Sequence, residues 1–376
     1  MIPRMMEPAQ YNGPAEVLNL AKELEFRRTE AADYVVGGMD IDCVVLRDGG
    51  EFGGALPAAR VGLAWNQSGI DGAPAKALPL TRWAETQLAE ACGIPLRYWD
   101  KMLDAGKDGL LVQNVNEWLP DLSDRRLRTY PDQVRAVVSN RFRALDNFDV
   151  LVAAVQALQG SSAEVMRVDV TESRLWMRLL DRSPDAHLPM ADGSSALPGV
   201  ILRNSEVGHG ALLVRPFLYR QVCKNGLVLD TALREVHLGG RLDPGLISAE
   251  TIGLEGEVTY RAVGDIIRTV FSDREKFADY VASLNESMGV RILEPPRLVE
   301  DMTVRRQITK EEADSILSVL ASDPTILPQH RGTEYAFKQA ISAVGRDTTD
   351  PDRAVELEML AARIRVEDLA GGAVTA

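Results

Sequence analysis

Two groups of residues in this sequence have side chains suited to chemistry. In the first, Cys223 and Asn225 fall between His209 and His237. Thiolate, imidazole and amide are the parts of a nucleophilic centre. The same stretch offers a metal set, His209 and His237 with Glu206 or Glu235. Neither follows a signature spacing: Cys223 runs into Lys-Asn-Gly, and the chain has no CxxC pair and no HExxH. An isolated thiol ordinarily packs as a small apolar residue. The second group is cationic. From Arg125 to Arg143 stand six arginines (Arg125, Arg126, Arg128, Arg135, Arg141 and Arg143) and one acid, Asp132. From Arg203 to Lys224 stand four cations and one acid, Glu206. Clustered arginines neutralise phosphates and give salt-dependent affinity for nucleic acid. On a hairpin edge they also block edge-to-edge pairing.

The segment RPFLYRQVCKNG (215–226) joins cations to aromatics. As a strand from Ala211, its period of two puts Arg215, Phe217, Tyr219 and Gln221 on one face. Exposed aromatics and arginine on such a face stack bases and grip phosphates. As a helix, it ends at Asn225-Gly226, a natural C-cap, with Lys224 in the last turn, and the aromatics fill a core. Our reading is a strand running into a short capped turn, with Arg215 and Tyr219 partly exposed and Phe217, Val222 and Cys223 inside.

A formal net charge of -13 over 376 residues argues against a surface that is basic throughout. Screening over about 8 Å at physiological salt still leaves room for a local basic groove. Three scattered cysteines fit a reducing compartment. No apolar run approaches the roughly 20 residues that span a bilayer. The start, MIPRMMEPAQ, lacks the pattern of a secretory signal. The expectation is a cytoplasmic protein with no membrane partner. The phosphate loop GxxxxGK[ST], the dinucleotide fingerprint GxGxxG and the nucleophile elbow GxSxG are all missing, so no cofactor is called for.

The elements that position these residues follow from periodicity. Residues 14–28 read as an amphipathic helix with Pro14 in its first turn. DYVVGG and IDCVVLRDGG read as short strands, and the Gly-, Ala- and Pro-rich stretch after them as loop with one strand. Three helices form a helical subdomain over 80–120, the first capped by Thr81 and stopped by Gly93. RRLRTYPDQVRAVVSNRF reads as a hairpin turning at Pro131-Asp132. A helix follows, with Asp146 or Asn147 at its cap. EVMRVDV, RLWMRLL, GVILRNSEV and ALLVRPFLYRQV read as strands, and the chain is helical from about 259. The fold class is α+β: a central antiparallel sheet over 121–258, an N-terminal helical subdomain and a C-terminal helical region over 259–376.

AVVSNRFRALDNFDVL and then GVILRNSEVGHGALLVRPFLYRQVCKNGLVL resemble the phage/plasmid-like proteins built on a domain of unknown function. ETQLAEACGIPLRYWDKML and LLVQNVNEWL fit the same pattern, and the likeness covers roughly residues 15–240, out to the helical tail. The matching positions are Ser139, Asn140, Arg141, Asp146, Asn147, Arg203, Asn204, Ser205, Glu206, Pro216, Arg220, Cys223 and Asn225; Lys224 departs from the small polar residue expected there. The resemblance implies a gene carried on phages or plasmids beside replication and recombination functions. It carries over no settled activity.

The expected function is ATP-independent DNA binding, of single strands or their annealing, by a homo-oligomer. Arg135, Arg141 and Arg143 would hold phosphates, Arg215, Arg220 and Lys224 would extend the groove, and Tyr219 would stack a base. Asn140, Asn204 and Asn225 would brace turns by side-chain hydrogen bonds. The alternatives are a non-catalytic, self-assembling interaction protein of a mobile element, whose basic clusters are buried ion pairs or subunit contacts, and a hydrolase using Cys223 or a metal.

Overall fold

The computed structural model describes residues 9–46, 61–65, 76–220, 225–229, 249–365 and 374–375. Strand β1 (Ala9–Asn12) leads into helix α1 (Gly13–Glu30), where Pro14 sits in the first turn and Val17, Leu20 and Leu24 form a buried stripe. Strands β2 (Ala32–Val36), β3 (Ile41–Val45), β4 (Val61–Trp65) and β5 (Lys76–Pro79) follow. The Thr81 hydroxyl accepts the Ala84 N–H at 3.2 Å and so caps α2 (Arg82–Ala91). Gly93, at φ 66°, takes the left-handed conformation that lets the chain leave that helix. Next come α3 (Leu96–Asp104), α4 (Asp108–Trp118), the hairpin β6 (Arg125–Tyr130) and β7 (Gln133–Ser139), and α5 (Asn147–Ala157). Strands β8 (Ala163–Val170), β9 (Leu175–Asp181), β10 (Leu188–Pro189), β11 (Ser195–Asn204), β12 (Leu213–Arg220) and β13 (Asn225–Val228) lead to the helical end. That end holds α6 (Ala249–Ser272), α7 (Arg274–Ser287), the short β14 (Arg291–Ile292), α8 (Pro295–Val304), α9 (Lys310–Ser322), α10 (Glu334–Asp347), α11 (Pro351–Arg363) and β15 (Val374–Thr375).

The fold is α+β, built on an antiparallel sheet in the order β1-β8-β9-β11-β12-β13, with β10 paired to β11. Both faces are covered. Met177, Leu179, Val200, Leu202, Val214 and Leu218 face one core, shared with Leu20 of α1, Val150 and Ala154 of α5 and Val263 and Ile267 of α6. Trp176, Leu180, Leu197, Ile201, Leu213, Phe217 and Val228 face another, closed by Val355 of α11. Gly199 lies opposite Phe217 in register, and a Cβ there would run into the phenyl ring. Glycine at that position is what lets a fully buried Phe217 lie across the neighbouring strand.

A second core joins two three-stranded sheets, β2-β6-β7 and β3-β4-β5, through an isolated parallel bridge between Leu80 and Val134. Trp65, Leu88, Trp99, Leu111 and Leu127 fill it. The helices over 80–120 pack on these two sheets. The Gly/Ala/Pro-rich stretch contributes two strands, β4 and β5, where the composition suggested one. Strand β1, at the start of the chain, belongs to the main sheet. Helix α6 begins at Ala249 and runs across the expected boundary at 258. The segment from Arg215 is strand β12, and Asn225 opens β13 in a hairpin with it, so the helical alternative and its cap do not apply. No helix among the described residues is long and apolar enough to cross a membrane.

Candidate nucleic-acid interface

The hairpin β6–β7 sorts the six arginines into two sets. Arg126, Arg128 and Arg135 each have a carboxylate. Arg126 reaches Asp33 at 3.5 Å, and Arg128 pairs with Asp146 and, at 3.8 Å, Asp33. Arg135 pairs with Glu206 at 2.5 Å, donates to the Tyr130 hydroxyl at 3.0 Å and stacks over that ring at 4.4 Å. Arg135 is only 4% exposed. Its expected role at the surface is overturned, because a phosphate could reach it only by displacing Glu206 from a buried pair.

Glu206 ties the hairpin to α5. It accepts the Asn147 N–H at 3.1 Å, while Asn204 donates to the Leu145 carbonyl at 2.7 Å and the Asn147 side-chain oxygen at 2.8 Å. Burial pushes the Glu206 carboxyl up, but Arg135 and Arg128, with the hydrogen bonds from Arg135 and Asn147, hold it below the usual carboxylate range. Asp146, at the cap of α5, makes no side-chain cap bond and spends its carboxylate on Arg128. Burial raises its pKa in spite of that partner. The bracing expected of Asn204 is present. Asn140 makes no side-chain hydrogen bond among the described residues, and Asn225 is described only as backbone in β13.

Arg125, Arg141 and Arg143 have no carboxylate within ion-pair distance among the described residues. All three lie at one end of the hairpin. Arg125 opens β6 opposite Ser139, the last residue of β7, and Arg141 and Arg143 follow in the turn that the Phe142 N–H closes on the Ser139 carbonyl at 2.9 Å. Arg141 is exposed. The Arg143 guanidinium reaches only the Phe142 carbonyl, at 3.4 Å, and two of its nitrogens are shielded without an acceptor, as is Nε of Arg125.

This end of the hairpin borders a groove of about 510 Å³ lined by Gln87, Glu90, Arg125, Ser139, Phe142 and Gly208, with Gly210 and Ala211 beside them. Gln87 on α2 fixes its width: the side-chain amide accepts the Val137 N–H at 2.9 Å and donates to the Val207 carbonyl at 2.8 Å. The Trp83 indole donates to the same carbonyl at 3.0 Å and stacks on His209 with ring centres 3.6 Å apart. Gly208 and Gly210 have φ of 80° and 101°, and a Cβ on Gly208 would press Val138 at 3.1 Å. The loop therefore needs glycine at these positions.

His209 is also paired with Ser173, Oγ to Nδ1 at 2.7 Å. Burial, then the positive charge of Arg174, lowers its pKa to about 4, so the ring is neutral at pH 7. A neutral imidazole can take a serine proton, but here no group holds Nε2 among the described residues. The Ser205 hydroxyl instead accepts the His209 N–H and donates to the Ser173 carbonyl, both at 2.7 Å, binding two loops together. Cys223, Lys224, His237 and Glu235 lie outside the described residues. Glu206, the other carboxylate of the metal set, is committed to Arg135. Among the described residues no three His, Cys, Asp or Glu side chains could hold a metal ion.

Helix α11 covers the strand face expected to bind bases. Arg215 is half-buried with a nitrogen 3.9 Å from the Met359 sulfur, and Tyr219 is half-buried beside Arg178 and Glu358. Arg220, on the opposite face, is 3% exposed, held by Asp192 at 2.7 Å and Ser194 at 2.8 Å. Strand periodicity places side chains on a face but does not say what lies over it, and here neither face is open. Sequence reasoning missed Gln87, Glu90 and Phe142, whose only legible signal was the Gly-His-Gly turn across from them. The chain matches no family model, no curated protein and no solved structure.

Proposed function

We propose that this chain is an ATP-independent DNA-binding protein that takes single strands at the groove beside Arg125, Arg141 and Arg143, and that it serves phage or plasmid replication or recombination. One observation carries the reading: in a chain of net charge -13, three arginines of the β6–β7 hairpin and the turn after it meet no carboxylate among the described residues and gather at one end of that hairpin, beside the groove. A groove of this volume has room for one nucleotide of a flexible strand. The resemblance to phage/plasmid-like proteins supports the biological setting. Fluorescence anisotropy with a labelled oligonucleotide tests it. Three phosphate contacts on a single strand give a salt slope of about -2, so a fourfold rise in salt weakens binding about twentyfold. The variant R125A/R141A removes about two-thirds of that slope. An unchanged slope in the variant would refute the groove.

A second reading, a self-assembling interaction protein, is favoured by the number of arginines spent internally: Arg126, Arg128, Arg135, Arg178 and Arg220 all pair with carboxylates. Light scattering on a sizing column separates the two. An oligomer that ignores oligonucleotide supports the second.

A further inference from the structure

The groove holds more than phosphate-binding charge. Phe142 is half-buried on a small apolar cluster of Ala136, Val138 and Val207 and turns part of its ring to the groove. Val137, Val138, Gly208 and Ala211 supply an apolar floor. Ser139 and Glu90 are the polar groups there that are free to recognise a ligand, since Gln87 is occupied at both ends. Glu90 sits exposed near the end of α2, without an ion pair among the described residues, and lines the same groove as Arg125. A carboxylate beside a phosphate site opposes affinity for a polyanion, so its place in the lining calls for a ligand with a donor as well as a phosphate.

Resting on the DNA-binding reading above, we infer that the groove is a base pocket that selects amino-bearing bases, cytosine above thymine. The base lies against Phe142, its phosphates reach Arg125 and Arg141, and its exocyclic amine donates to Glu90. Aromatic stacking is tolerant of sequence because every base has a π-face. An ionised carboxylate only accepts, so at the C4 position it matches the N4 amine of cytosine and opposes the O4 carbonyl of thymine, whose one donor is the ring N3–H.

The test compares labelled oligo(dC) and oligo(dT) on the full chain at one salt concentration. The expected result is about tenfold tighter binding of oligo(dC), the lower part of the range for a good base contact. Glu90→Ala, a change on an exposed helix position, brings the ratio of the two affinities close to one. Phe142→Leu, which keeps an apolar side chain under the turn, weakens both strands about tenfold and leaves the ratio. Equal binding of the two strands, with the salt slope still falling in R125A/R141A, overturns base selection and leaves the phosphate groove standing. Absence of binding to either strand at low salt overturns both readings.

Discussion

The Arg135–Glu206 pair makes the strongest prediction about stability. Both side chains are buried, and Glu206→Gln removes the charge while keeping an amide oxygen for the Asn147 N–H. What is lost is the attraction between two charges, about 4 kcal/mol at 4 Å with an effective dielectric of 20. Removing one partner of a buried pair costs about 3–5 kcal/mol by precedent, because the other charge stays buried. Glu206→Gln should therefore lower unfolding stability by about 4 kcal/mol in urea denaturation, with Arg135→Met lowering it similarly. The double variant, R135M/E206Q, should lose at least about 2 kcal/mol less than the sum, since no charge is stranded. The pH dependence has a definite sign. The folded Glu206 carboxyl lies below its usual range, so its contribution is complete above the unfolded carboxylate value of about 4.3 and is lost as pH falls through the folded one. That acid-labile component should be missing in Glu206→Gln. Additive single variants, or a loss below about 1 kcal/mol, would refute the buried-pair argument.

Two further outcomes concern the loop that walls the groove. The His209 resonance should titrate near pH 4, and stability should fall as pH drops from about 6.5 towards about 4, where the unfolded ring is protonated and the folded one is not; His209→Phe should lack this segment, and an NMR midpoint near 6.5 would contradict it. Gly208→Ala forces a side chain into the left-handed region and against Val138, and should cost about 1–3 kcal/mol by chemical denaturation; a neutral effect would mean the loop is not held as described.

Most of the elements were legible because their signals are local. Thr81 before an apolar-periodic run, Gly93 after it, and Pro131-Asp132 between alternating stretches each act within a few residues. The sites were less legible because burial is decided from far away. Arg135 and Arg141 look alike in sequence, yet one meets Glu206, 71 residues on, and the other meets solvent. Arg215, Phe217 and Tyr219 do share a strand face, but the helix that covers it begins at Pro351. Strand β1 was not read because four residues show no period. Gln87 and Glu90 sit on a helix whose pattern reports only which side faces inward.

The face closed by α11 bears on how the chain is made. Trp176, Leu197, Phe217 and Val228 leave the ribosome long before Val355 does. Ribosomes add about 5–20 residues per second, so the synthesis from Val228 to Pro351 takes roughly 6–25 s. During that interval the face later closed by α11 lacks that cover. The newborn chain should therefore be most open to aggregation, or to a holding chaperone, in the seconds before α11 arrives.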